Sequence, residues 1–233
     1  MFYVGNVYKQ FMTSLKLVGF RRTLSVIVSR LADFSFDVKY GTDTIAWVEL
    51  EECEVDGELK QRGQRYQPSG TLSFKKLMNI MQLPPGQVLI DFGSGKGRVM
   101  LMAIAHGFKK AIGVEFSPEM CAVTRDNIAQ FRKKWDGEVD IEVYEGDAAE
   151  YRFSDEETVF YFYHPFDETI LEKVLGNINA SLERRPRPAW MVYYYPIHRD
   201  LVERLESTFQ IVKEFVLLGY DCVIYANKDG MSQ

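Results

Sequence analysis

Cysteine and histidine are both scarce, with three of each in 233 residues. Cys53, Cys121 and Cys222 are odd in number and far apart. That set fits buried free thiols in a reducing, cytoplasmic compartment better than a disulfide framework. His106, His164 and His198 include no pair at metal-ligand spacing, so no metal centre is expected. Long hydrophobic runs are missing too. The uncharged stretches near the N-terminus, residues 1–8 and 23–29, are eight and seven residues long, against the roughly 20 apolar residues that a bilayer-spanning helix needs. Nor does that region show the apolar core and cleavage site of a signal peptide. Positive charge is not in excess: 28 Lys and Arg face 33 Asp and Glu, a net −5. That argues against generic nucleic-acid binding, which needs a broad basic surface. No internal repeat or low-complexity segment interrupts the chain, and 46% hydrophobic with 26% charged residues is the composition of an ordinary globular protein.

The charge is unevenly placed. Residues 1–36 carry Lys9, Lys16, Arg21, Arg22 and Arg30 against Asp33 alone, a net +4 that leaves −9 for the remainder. Phe11, Leu15, Val18, Ile27 and Leu31 recur near helical spacing, which predicts one long amphipathic helix or two short ones packed on the main body. A basic amphipathic arm is also suited to peripheral contact with a membrane surface or an acidic partner. A connector over 37–70 contains an acidic run, Glu49 to Glu58, read as solvated surface. A helix over 72–82 follows, with Leu77, Met78 and Met81 inward, ended by Pro84 and Pro85. This divides the chain into an arm and connector, 1–70, and a main domain, 71–233.

From Val88 onward strand and helix patterns alternate. Strands are expected at 88–92, 111–116, 140–144, 159–163, 189–195, 211–217 and 222–226, with helices at 97–106, 118–135, 168–183 and 199–208. Ser117 followed by Pro118 is a helix start, because serine accepts an orphan amide bond and proline fits the first turn. Near-continuous apolar strands alternating with helices imply a parallel sheet covered on both faces. Only four residues separate the last two strands, too few for a parallel crossover, so they must form an antiparallel hairpin. The fold class is therefore α/β: a doubly wound, mostly parallel seven-stranded sheet with an antiparallel C-terminal hairpin and an N-terminal helical extension.

The first strand runs into Gly93, Ser94, Gly95, Lys96 and Gly97. A triphosphate-binding loop needs G-x-x-x-x-G-K-[S/T]. With Gly95-Lys96 as its GK pair, the leading position is Ile90 and the trailing one Gly97, so the pattern fails twice. Lys96 then reads as a surface residue at a helix start. The dinucleotide fingerprint G-x-G-x-x-G also fails, because the third glycine arrives one position early. Asp91, two residues before the loop, would oppose a pyrophosphate and suit a ligand carrying positive charge.

VLIDFGSGKG (88–97), IGVEFSPEM (112–120), YEGDAAEY (144–151) and YFYHPF (161–166), in that order, resemble the class I, seven-stranded, Rossmann-like S-adenosylmethionine-dependent methyltransferases. The resemblance covers about residues 70–227. With FDVKYGTDT (36–44) added, the chain looks most like a group of uncharacterised bacterial members. It implies S-adenosyl-L-methionine as cofactor, with Asp91, Gly93, Ser94, Gly95 and Gly97 around its methionine part. Glu115 would take the ribose hydroxyls, Phe116 would lie beside the adenine, and Asp147 with the amide of Ala148 would meet the adenine edge. Tyr66, in RYQPS, matches a segment that covers the methionine end in some lysine-methylating members. YFYHPF stands where amino-methylating members carry Asn/Asp-Pro-Pro-aromatic. Here His164 replaces the amide or acid, as a candidate acceptor-side catalytic residue or as a cap of the turn, and Phe166 is either substrate-lining or core. The activity implied is methyl transfer to a protein side chain, lysine among them, or to a small molecule. Two alternatives stay open at this point, a nicotinamide-dependent oxidoreductase and a non-catalytic cofactor-binding scaffold.

Overall fold

The computed structural model describes residues 20–45, 68–163, 166–204, 208–217 and 219–232. Two helices come first, α1 (Phe20–Tyr40) and α2 (Thr71–Met81). The sheet region then runs β1 (Val88–Phe92), α3 (Arg98–His106), β2 (Lys110–Glu115), α4 (Pro118–Lys134), β3 (Ile141–Glu145), a 3₁₀ turn (Ala148–Glu150), β4 (Val159–Tyr163), α5 (Glu168–Arg184) and β5 (Trp190–Tyr194). α6 (Arg199–Glu203), β6 (Gln210–Leu217), β7 (Tyr220–Ala226) and α7 (Lys228–Met231) complete it.

The strand order is β3-β2-β1-β4-β5-β7-β6. β3, β2, β1, β4 and β5 pair in parallel, and β7 lies antiparallel to both β5 and β6. Six strands therefore point one way and only β7 is reversed. Each strand lies within two residues of its sequence-based position, because the apolar runs that mark buried parallel strands are long and bounded by turn residues. Every residue of β1 is buried, and one apolar cluster covers each face of the sheet. Strand order reverses between β1 and its neighbours β2 and β4. In open α/β sheets, the crevice at the carboxyl ends of such strands is where ligands bind.

Ser117 caps α4 as its sequence implied, accepting the Met120 amide at 3.3 Å. α1 differs from expectation. It extends four residues past 36, and it packs through Ser29, Phe36, Asp37 and Tyr40 rather than through Leu31, which is 61% exposed. Tyr40 meets Phe131 of α4 at a ring distance of 4.6 Å. The expected helix within residues 1–19 and the acidic run of the connector lie outside the described residues. So does Cys53, while Cys121 and Cys222 are free and buried.

Candidate functional site

Gly93, Gly95 and Gly97 all have left-handed backbone, with φ of 75°, 52° and 80°. This conformation is strained for residues with a Cβ, so alternate glycines allow the chain to fold back tightly after β1. A Cβ at Gly97 would sit 2.7 Å from Thr124 Cγ2. The fold-back consumes the loop's own donors. The amides of Gly93 and Ser94 both donate to Val114 O, at 2.9 and 3.1 Å, and that of Gly97 to Ser94 O at 2.9 Å. Gly95 N donates to Glu115 Oε2 at 2.8 Å. A phosphate cradle needs loop amides aimed at the anion. Four of the five here are already committed to protein acceptors.

Two carboxylates stand beneath this loop on adjacent strands. Asp91 is paired in register with Gly113 of β2 and Tyr161 of β4, and it is 4% exposed. No hydrogen bond joins its side chain to any described residue. Its pKa is pushed up to about 8, chiefly by burial and further by the Glu115 charge. Glu115 also titrates above the usual range because of burial, against the pull of amide bonds from Ser117, Gly95 and Phe116. Its Oε1 accepts Ser117 N at 3.0 Å. Each carboxylate oxygen has a second acceptor position, so Glu115 both braces the loop and keeps capacity for a ligand's hydroxyls. A buried acid with no described partner, near the carboxyl end of β1, has the electrostatics of a cation site.

At the β3 end, Asp147 caps the 3₁₀ turn, its Oδ1 accepting Ala149 N at 2.8 Å. Asp147 is half-buried, Ala148 is buried and Phe116 is half-buried. Ser94 is placed differently from the loop's backbone: its hydroxyl lies where a Cβ on Gly113 would come within 2.6 Å, beside Met100. It therefore faces the packed side of the loop and finds no hydrogen-bond partner there. On the β4 side, Tyr161 OH and Ser69 Oγ lie 2.9 Å apart next to Asp91. Farther out, Tyr163, Tyr194, Tyr195 and Tyr220 form an aromatic cluster with ring distances from 4.6 to 6.4 Å, in which Tyr194 is buried and Tyr195 is the exposed rim. Tyr195 has φ 56°, a strained value for a side-chain-bearing residue. Phe166 is core, edge-on to Phe92 and Phe162. His164 and Tyr66 lie outside the described residues.

Residues 89–185 match the family model described as "Methyltransferase domain". The matched span runs from β1 to the end of α5, 97 of the 233 residues, within a seven-stranded sheet of methyltransferase-like α/β architecture. Over 77 residues, 31% of the chain, the sequence is 30% identical to the H3 lysine-79 specific histone-lysine N-methyltransferase of Cryptococcus neoformans var. neoformans serotype D. The chain spans only 12% of that relative's length. Among solved structures, it is similar to the Escherichia coli protein yhhF, provisionally described as a methyltransferase, at TM-score 0.56 and 15% identity over 70% of this chain and 88% of that one. It is also similar to PH1948 of Pyrococcus horikoshii, provisionally described as an RNA methyltransferase. There the TM-score is 0.53 and identity 17%, over 76% of this chain and 92% of that one. At such identities the structures share the fold.

The methyltransferase match and fold indicate S-adenosylmethionine as cofactor, and the residues present are chemically compatible with it: a buried acid without a described partner, a second acid with spare acceptor capacity, and loop amides bonded to the protein itself. The methyltransferase domain also holds residues that sequence reasoning missed. Arg98, just after the glycine loop, is 2% exposed. It donates through Nε to Ser69 O at 3.0 Å and through Nη2 to Asp33 Oδ1 at 2.8 Å and Thr71 Oγ1 at 2.6 Å. Nη1 bonds Thr44 Oγ1 and reaches Asp37 Oδ1 at 3.4 Å. Lys96, expected at the surface, is 5% exposed and pairs with Asp43 at 3.0 Å. Asn127 clasps the same segment, its Oδ1 accepting Asp43 N at 2.7 Å while Nδ2 donates to Asp43 O and Lys96 O. A charged residue reads as surface in a local pattern, and only the acids at 33 and 37, a helical turn apart, hinted otherwise.

Proposed function

We propose that the chain transfers a methyl group from S-adenosylmethionine to an amine of a protein side chain, lysine being the preferred acceptor. The observation that carries this reading is Asp91, buried near the carboxyl end of β1 with no described partner. Its carboxylate would hold the cofactor's ammonium. Glu115 would accept the ribose hydroxyls, each such charged bond being worth about 1.5–3 kcal/mol. Asp147 and the Ala148 amide would take the adenine edge, beside Phe116. The backbones of Gly93, Ser94, Gly95 and Gly97 would line the methionine part. The committed loop amides and Asp91 together count against a pyrophosphate, hence against a nicotinamide-dependent oxidoreductase.

When bound, the cofactor supplies a methyl group on a sulfonium, open to in-line displacement. The chain's task is to orient an acceptor and exclude water. The tyrosine cluster at the ends of β4 and β5 suits a lysine, since aromatic faces attract an alkylammonium and pack on its methylenes. The 30% match to a histone-lysine methyltransferase points the same way. His164 would stand on the acceptor side, accepting a hydrogen bond from the amine or taking its proton, and Tyr66 would cover the methionine end.

Incubation of the full chain with methyl-labelled S-adenosylmethionine and a fractionated host lysate tests this. Label in protein, released as methyl-lysine on hydrolysis, is expected. Label in RNA or small molecules alone would move the acceptor to those classes. No label in any fraction would leave a cofactor-binding scaffold.

A further inference from the structure

The outer face of α1 is apolar along its length. Leu24, Val28, Leu31, Phe34 and Val38 are 48%, 47%, 61%, 60% and 60% exposed. At 100° per residue they fall within one sector, opposite the face that packs through Ser29, Phe36 and Tyr40. From Leu24 to Val38 the stripe is about 21 Å long. Leu72 on the neighbouring α2 is 41% exposed and lines a groove with Leu24 and Val28.

The charges around this stripe have one sign. Arg30, Lys39, Lys75 and Lys76 are all exposed, and Lys76 borders the groove. The only acids of α1, Asp33 and Asp37, turn inward to Arg98 and the threonines, and α2 has none. The chain beyond residue 36 carries a net −9. The protein thus has an apolar, cationic face on an otherwise acidic body.

We infer that α1 and α2 form a docking face for an anionic lipid surface, with α1 lying in the plane of the interface. An apolar stripe flanked by Lys and Arg is the pattern of interfacial helices, which bind by burying the stripe among headgroups and pairing the cations with anionic lipid. No helix among the described residues is long and apolar enough to cross a membrane, so the chemistry is that of lying on a bilayer. A second copy fits this face poorly. An isologous pairing would bring the exposed cations of both copies, Arg30, Lys39, Lys75 and Lys76, to one seam with no exposed acid on α1 or α2 to answer them. This inference is independent of the acceptor.

The test is sedimentation of the full chain with phosphatidylcholine vesicles, with and without phosphatidylglycerol, at low and high salt. Expected is binding to the anionic vesicles only, weakened by salt. Leu31→Glu with Phe34→Glu, and separately Arg30→Glu with Lys76→Glu, should each lower partitioning roughly tenfold or more. Both variants should keep S-adenosylhomocysteine affinity, which shows that they are folded. Absence of binding, or equal binding to neutral and anionic vesicles, would overturn the inference. So would a dimer in sedimentation velocity that the Leu31→Glu, Phe34→Glu variant abolishes while vesicle binding is absent, or capture of an acidic protein by the same face without affinity for vesicles.

Discussion

Arg98 donates from Nη2 to the Asp33 carboxylate at 2.8 Å, joining two residues 65 positions apart. The pair ties α1 to the first turn of α3, directly behind the glycine loop. Asp37 and Thr71 share the same guanidinium, and Phe36 lies against it with 5.2 Å between Cζ and the ring centre. Removing one partner of a buried ionic cluster strands the others without compensation.

Arg98→Met should therefore lower the unfolding free energy by about 3–5 kcal/mol. Urea or thermal denaturation reads this directly. The variant should also bind S-adenosylhomocysteine more weakly, because the loop loses the strap that backs it. Asp33→Asn, which keeps one acceptor for the guanidinium, should cost less than half as much.

Asp91 makes cofactor binding pH-dependent. Its folded pKa of about 8 lies above the ordinary 3.8, so its effect on stability is greatest below the ordinary value. That contribution is lost as pH rises toward 8, by up to ~1.4 kcal/mol per pH unit. At neutral pH the free protein holds this proton, and a cationic ligand expels it. Calorimetry in phosphate and in Tris at pH 7 should show proton release on binding S-adenosylhomocysteine, and affinity should rise between pH 6 and 8. Asp91→Asn should abolish the proton release, weaken binding, and be stabilised relative to the parent chain as pH rises.

Glu115 is expected to serve both loop and ligand. Glu115→Gln keeps the volume but turns one acceptor into a donor facing either Gly95 N or Ser117 N. The dissociation constant for S-adenosylhomocysteine should rise about tenfold or more, the loss of one charged hydrogen bond. An unchanged constant would place the ribose elsewhere.

Gly113 was not singled out by its sequence, yet a Cβ there would lie 2.5 Å from Met100 Sδ and 2.6 Å from Ser94 Oγ. Gly113→Ala should destabilise by about 1–3 kcal/mol through overpacking. Combining it with Met100→Ala, which opens room, should recover part of the loss on thermal melts.

The sheet was legible because buried parallel strands write long apolar runs. The terminal hairpin followed from chain length, since Leu218 to Asp221 leaves no room for a crossover. The glycine loop was legible in its spacing and in Asp91, but Lys96 and Arg98 were not. Their burial depends on acids at 33, 37 and 43, and a periodicity that counts apolar residues carries no information about a pairing 53 to 65 positions away. The same blindness misplaced α1. Its apolar residues marked an inward face in the sequence, whereas the demand of Arg98 for carboxylates turned Asp33 and Asp37 inward and left Leu31 and Phe34 outside. The three consecutive tyrosines Tyr193, Tyr194 and Tyr195 carry no local pattern that separates buried from exposed positions. The structure divides them, burying Tyr193 and Tyr194 while leaving Tyr195 42% exposed.

The central claim is that the loop and its two carboxylates receive a cationic, phosphate-free nucleoside. Calorimetric titration of S-adenosylhomocysteine and of NAD into the full chain tests it most directly. The account predicts saturable binding of S-adenosylhomocysteine, lost in Asp91→Asn, and no heat from NAD. Tight NAD binding with no response to S-adenosylhomocysteine would contradict it.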